Sequence, residues 1–127
     1  MSTQITSPQI TSVGQIAVIV QDLARAVGFY RDVLGLTFLF ETGGMAFFDC
    51  GGVRLMLTHA EKPESAGSSI IYYKTGDIQA AAAAMSGLGA QFVSEPHLIA
   101  KMPDHDLWMA FLRDSEGNLV GLMSEVR

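Results

Sequence analysis

Asp22-Leu23-Ala24-Arg25-Ala26-Val27-Gly28-Phe29-Tyr30-Arg31-Asp32-Val33-Leu34-Gly35-Leu36 is the stretch whose reading decides the fold. Asp22 has the chemistry of an N-cap, because its carboxylate can accept the unpaired amides of a first helical turn. Leu23, Ala26, Val27, Tyr30 and Leu34 then recur at helical spacing, and Gly35 fits the position just past a helix end. Working backward, Ile16–Val20 is short and β-branched and reads as a strand covered on both faces, or nearly so. Working forward, Leu36–Glu41, Met45–Cys50 and Val53–Thr58 read as strands, and Gly51-Gly52 between the last two can supply a tight hairpin. The first half is therefore βαβββ.

The same order returns in the second half. Ile70–Thr75 reads as a strand, Asp77 as an N-cap, and Ile78, Ala81, Ala82, Met85 and Leu88 as one helical stripe ending at Gly89. The alanine run Ala80–Ala84 suits a helix lying close against a sheet. Gln91–Ser94, Leu107–Arg113 and Asn118–Met123 complete the copy as strands, with Gly117 in the last turn. Asp77 follows Asp22 by 55 residues and Gly89 follows Gly35 by 54, but Gly117 follows Gly52 by 65, so the second copy holds about ten extra residues. They fall in Glu95–His105, expected to be a long irregular loop, which carries His97, His105 and two of the four prolines. The fold class expected is α+β, two tandem βαβββ modules (13–59 and 69–125) forming a curved mixed sheet with a ligand cavity. Residues 1–11 are read as a flexible leader and 12–127 as one domain.

Composition bounds the function. The chain has 127 residues, 8 Lys plus Arg against 13 Asp plus Glu, and 49% hydrophobic residues, which argues for a folded core rather than disorder. Basic residues are scattered singly at a net charge of −5, so nucleic acid is not the expected partner; a neutral or cationic small organic molecule suits the field better. No stretch is long and apolar enough for a membrane span, and a lone Cys50 without a secretion signal leads to a cytoplasmic expectation. Cys50 has no adjacent base, and the chain offers no nucleophile elbow, phosphate loop or paired-cysteine site.

The repeated βαβββ order, the Phe29–Leu36 segment FYRDVLGL and the Asp114-Ser115-Glu116-Gly117-Asn118 turn together resemble the vicinal oxygen chelate superfamily. That superfamily includes glyoxalase I, extradiol dioxygenases, fosfomycin resistance enzymes and bleomycin resistance proteins. The resemblance implies sheets whose concave faces line a ligand cavity, usually completed by a second subunit, so a homodimer is expected. Catalytic members hold a divalent metal by one residue on the first and one on the last strand of each copy. By spacing to the motifs these positions fall here on Gln15, Met56, Ile70 (or its neighbour Ser69) and Gly121. Only Gln15 offers a donor for a hard cation, so the resemblance is to the non-metal, bleomycin-resistance-like branch, with no metal cofactor expected.

With the first-strand ligand position facing the cavity, strand alternation puts Gln15, Arg54, Met56, Tyr72, Gly121 and Met123 on the concave side. Phe47 is expected beside Met56 and Asp49 beside Arg54 across the hairpin. His97, His105 and Trp108 complete the candidate ligand-cavity set of Gln15, Phe47, Arg54, Met56, Tyr72 and Met123, a soft aromatic and methionine lining with a polar rim. The same residues would also serve as interior filling. The reading is a small-molecule-binding protein. The alternative is a metal-dependent lyase, isomerase or dioxygenase-like enzyme whose metal is held by Gln15 and unusual ligands from His59, His97 and His105.

Overall fold

The structure, a computed structural model, describes residues 12–59 and 69–127; the expected leader at 1–11 lies outside them. Two four-stranded sheets form the described structure. The first holds β1 (Gln15–Val20), β2 (Thr37–Thr42), β3 (Met45–Cys50) and β4 (Val53–His59) in the order β1-β4-β3-β2. The second holds β5 (Ile71–Lys74), β6 (Gln91–Lys101), β7 (Asp106–Arg113) and β8 (Leu119–Val126) in the equivalent order β5-β8-β7-β6. In each, the first strand runs parallel to the last and the other pairings are antiparallel. Two α+β modules in tandem are thus the architecture, as the repeat in the sequence requires.

One helix covers one face of each sheet. Helix α1 (Leu23–Gly28) starts where Asp22 Oδ1 accepts the amide of Arg25 at 3.1 Å, and α2 (Ile78–Gly87) starts where Asp77 Oδ1 accepts that of Ala80 at 3.0 Å. Alternation along each strand drives the apolar set beneath them. Val20, Ala46, Phe48, Leu55 and Leu57 pack with Ala26, Val27 and Tyr30 under α1, and Ala110, Leu112, Val120 and Leu122 pack with Ile78 under α2. Each fully buried leucine contributes about 2 kcal/mol of transfer free energy, so this alternation fixes which face of every strand is left for other work.

Four expectations need correction. Residues 95–105 are not an irregular loop: β6 runs on to Lys101 and pairs with β7 as a long hairpin, Met102–His105 forming its turn. Register shifts at Phe92/Ser94, Ser94/His97 and Leu98/Ala100 absorb the irregularity, and Pro96 sits inside one of them, where its missing amide costs no ladder bond. The first helix is not uniform, because after Gly28 the chain widens into a π-turn over Phe29–Val33. Strand β1 is covered chiefly on one face, where Ile16, Val18 and Val20 pack into the core, while Gln15 and Ala17 on the other are exposed, because only one face of the sheet carries a helix. Strand β8 continues to Val126, three residues beyond the expected end.

The modules are joined at a seam. Phe29, Leu34 and Tyr73 pack against both cores, and the 114–118 turn of the second module grips the first. Tyr30 donates its hydroxyl to Asp114 Oδ2 at 2.7 Å, and Asn118 Nδ2 donates to the carbonyl of Ile19 at 3.0 Å.

Candidate functional site

The faces turned away from the helices carry the polar, aromatic and methionine side chains. On the first sheet Phe47 pairs with Met56 and Asp49 with Arg54, as expected, and Gln15 lies in register beside Arg54. Gln15 Nε2 donates to Met56 Sδ at 3.8 Å. Asp49 and Arg54 do not form an ion pair, because Asp49 Oδ1 accepts the amide of Gly52 at 3.2 Å and closes the hairpin instead. The Arg54 guanidinium crosses β3 and lies 5.6 Å from the Phe47 ring centre and 6.0 Å from that of Phe40. Those two rings stack at 4.6 Å. Phe40 was not among the sequence-derived candidates. A register shift between Phe38 and Phe40 turns it to this face, and single-strand alternation cannot reveal such a shift.

On the second sheet Tyr72 pairs with Gly121, and Met109 with Met123 and His97. The Tyr72 ring lies directly over Gly121, where an added Cβ would meet ring carbons at 2.7–3.1 Å. Phe111 packs edge-on to Tyr72 at 5.7 Å. His97 Nδ1 donates to the carbonyl of Glu95 at 2.8 Å, with Ser94 Oγ 3.3 Å away. Since that carbonyl can only accept, the neutral ring carries its proton on Nδ1 and presents Nε2 as an acceptor.

The remaining candidates lie elsewhere. Trp108 pairs with Ser124 on the helix-facing side and packs against the core under α2, so it is no wall of the open face. Its position follows from strict alternation along β7, in which Trp108, Ala110 and Leu112 share the buried face. His105 stands at the tip of the β6–β7 hairpin, its Nδ1 2.7 Å from Asp104 Oδ1, a bond that holds the Asp104 carboxyl below its usual range. His59 ends β4 in the other sheet. The three histidines do not converge, and no group of three His, Cys, Asp or Glu residues that could hold a metal occurs among the described residues. The candidates therefore divide into Gln15, Phe47, Arg54 and Met56 on one sheet and Tyr72, His97 and Met123 on the other.

A partly open pocket of ≈ 140 Å³ lies between the modules, lined by Ile16, Val18, Tyr30, Ile71, Tyr73 and Val120, among others. Burial there raises the Tyr30 and Tyr73 hydroxyls above the usual phenol range, and the Tyr73 hydroxyl has no hydrogen-bond partner among the described residues.

The four positions that the resemblance assigns to a metal do not fit one here. Among Gln15, Met56, Ile70 and Gly121, Gln15 alone has a hard donor, Met56 offers a thioether, Ile70 none, and at Gly121 the space for a ligand side chain is filled by the Tyr72 ring; Ser69, beside Ile70, adds at most one hydroxyl.

Comparison with known proteins agrees with this architecture. The family profile described as Glyoxalase/Bleomycin resistance protein/Dioxygenase superfamily matches residues 12–122. The metallothiol transferase FosB of Staphylococcus haemolyticus is 26% identical over 113 residues, covering 87% of this chain; the chain spans 65% of that relative's length. Among solved structures, lactoylglutathione lyase from Agrobacterium tumefaciens superposes with a TM-score of 0.73 at 22% identity, over 92% of this chain and 96% of that one. TnmS3, an antibiotic binding protein from Streptomyces sp. CB03234, superposes with a TM-score of 0.74 at 23% identity, over 94% and 99%. These two likenesses concern the fold alone. Together with the repeated modules, the profile match means that the chain belongs to the glyoxalase/bleomycin resistance protein/dioxygenase superfamily.

Proposed function

We propose that this chain binds a small planar organic molecule on the open faces of its sheets, without a metal at the four strand positions. The observation that carries the reading is the Tyr72 ring seated over Gly121, which puts an aromatic surface where a catalytic relative would need a ligand side chain. Phe40, Phe47, Met56, Phe111 and Met123 extend that surface with flexible or flat apolar groups, and Gln15, Arg54 and His97 supply polar contacts.

A homodimer belongs to this reading. Each open face stands uncovered in the single chain, with Phe40 43% and Tyr72 44% exposed, and a second copy bringing its own face would enclose a ligand between them. A cytoplasmic setting suits the lone Cys50, which closes no disulfide within the chain. No helix of the described residues is long and apolar enough to cross a membrane.

The test is thermal denaturation of untagged protein with a panel of planar aromatic compounds, with Zn, Ni, Mn and Fe(II), and with EDTA. A compound present at 100 times its dissociation constant stabilises the fold by about 2.7 kcal/mol, a rise of several degrees. We expect such rises from aromatic compounds, lost in Met56→Glu, and none from the ions. Stoichiometric bound metal, or a melting point raised by one ion and lowered by EDTA, would overturn the proposal.

A further inference from the structure

Among the described residues, the one Lys or Arg on the open face of the first sheet is held in an unusual way. Arg54 stands opposite a carboxylate, Asp49, in the β3–β4 register, yet turns from it and lies over two phenyl rings. Among the described residues its guanidinium makes no ion pair and no side-chain hydrogen bond. The guanidinium lies 5.6 and 6.0 Å from the two ring centres, and its five N–H donors, unused by any side chain among the described residues, can meet a planar acceptor. Beside it Phe40 is 43% exposed, and Gln15, in register on the adjacent strand, spends one amide proton on a weak bond to sulfur and has another to give.

We infer that this face selects a planar aromatic carboxylate, whose ring stacks on Phe40 and whose carboxylate is gripped by Arg54. The inference rests on the small-molecule reading above and narrows it. It runs against the chain's net charge of −5, which by itself favours cations. Charge complementarity at contact range decides the matter, because distant surface charges are screened over about 8–10 Å at ordinary salt, while a bidentate fork-to-carboxylate contact is screened far less. A carboxylate also fits both oxygens to two parallel N–H donors, whereas a neutral amide offers a single accepting oxygen and an ammonium none.

Three probes of one shape separate the possibilities: 2-naphthoate, 2-naphthamide and 2-naphthylmethylammonium, titrated calorimetrically into the full chain. Wild type should bind naphthoate about tenfold or more tightly than naphthamide, and the ammonium most weakly. Arg54→Gln should erase the preference by weakening naphthoate far more than naphthamide, and Arg54→Lys should keep only part of it, since an ammonium cannot present the fork. Circular dichroism of both variants checks that the sheet is intact. Equal binding of naphthoate and naphthamide to wild type, or a preference that survives Arg54→Gln, overturns the inference and leaves the small-molecule reading standing. Failure of all three probes to bind overturns both.

Discussion

Glu116 of the second module clasps Arg25 of the first at 2.8 Å while its other oxygen accepts the backbone amides of Gln21 and Asp22, at 2.9 and 2.8 Å. One carboxylate, 1% exposed, thus serves as an inter-module hydrogen-bond hub at the start of α1. Replacing it leaves two amides unpaired at a covered position, so Glu116→Ala should cost about 2 kcal/mol, and Glu116→Gln less, because the amide oxygen still accepts. Denaturant unfolding of the two variants measures both. A loss below 0.5 kcal/mol in Glu116→Ala would mean, on the same scale of about 1 kcal/mol per bond, that the clasp is ornamental.

The same group gives the fold a defined acid limit. The Arg25 guanidinium, with help from the Gln21 and Asp22 amides and Ser115, holds the Glu116 carboxyl down to about 2, well under its ordinary value. Its folded-state value is depressed, so its stabilisation is complete above the ordinary glutamate range and is lost as pH falls toward 2. Wild type should therefore lose stability between about pH 5 and pH 2 more steeply than Glu116→Gln. Parallel slopes for the two proteins over that interval would refute the assignment.

Tyr30 offers a second seam prediction. Its buried hydroxyl donates to Asp114 Oδ2, and Asp114 also accepts the amides of Glu116 and Asn118 and the Asn118 side chain. Tyr30→Phe removes one charge-assisted bond from this set without changing the packing, at a cost of about 1.5–3 kcal/mol. Asp114→Ala removes the acceptor for all of them and should cost more. If Tyr30→Phe melts with wild type, the Tyr30–Asp114 bond does not hold the modules together.

These seam contacts illustrate what the sequence discloses and what it withholds. Asp22, Asp77 and the Gly51-Gly52 hairpin act locally, through bonds or backbone angles within three residues, so their roles and the whole βαβββ order are legible from the chain. Strand alternation likewise foretells that Met56 and Tyr72 lie opposite the helices. The Glu116–Arg25 clasp joins residues 91 apart and leaves no periodic trace. The β6–β7 arm is illegible for a related reason: its prolines and uneven pattern signal a loop, whereas the partner strand β7, twelve or so residues away, keeps it extended through three bulges. Phe40 escaped notice because one bulge reverses the facing of everything beyond it. Trp108 shows the opposite failure, in which indole chemistry suggested a site that simple alternation already denied.

The Tyr72–Gly121 contact allows the absence of side-chain space to be tested directly. A Cβ at position 121 would stand 2.7 Å from the Tyr72 ring, closer than two carbons tolerate, so Gly121→Ala must push the ring aside and part it from Phe111. Because Tyr72 is 44% exposed the ring can swing outward, and the cost should be near 1 kcal/mol rather than the larger penalty of an overpacked core. In a Tyr72→Ala background the clash vanishes and Gly121→Ala should become neutral, giving a coupling of about 1 kcal/mol between the two sites. Additive losses in this double-mutant cycle would show that the ring does not occupy the space above Gly121. The position would then be open to a metal-binding side chain, and the aromatic reading of the site would lose its main support.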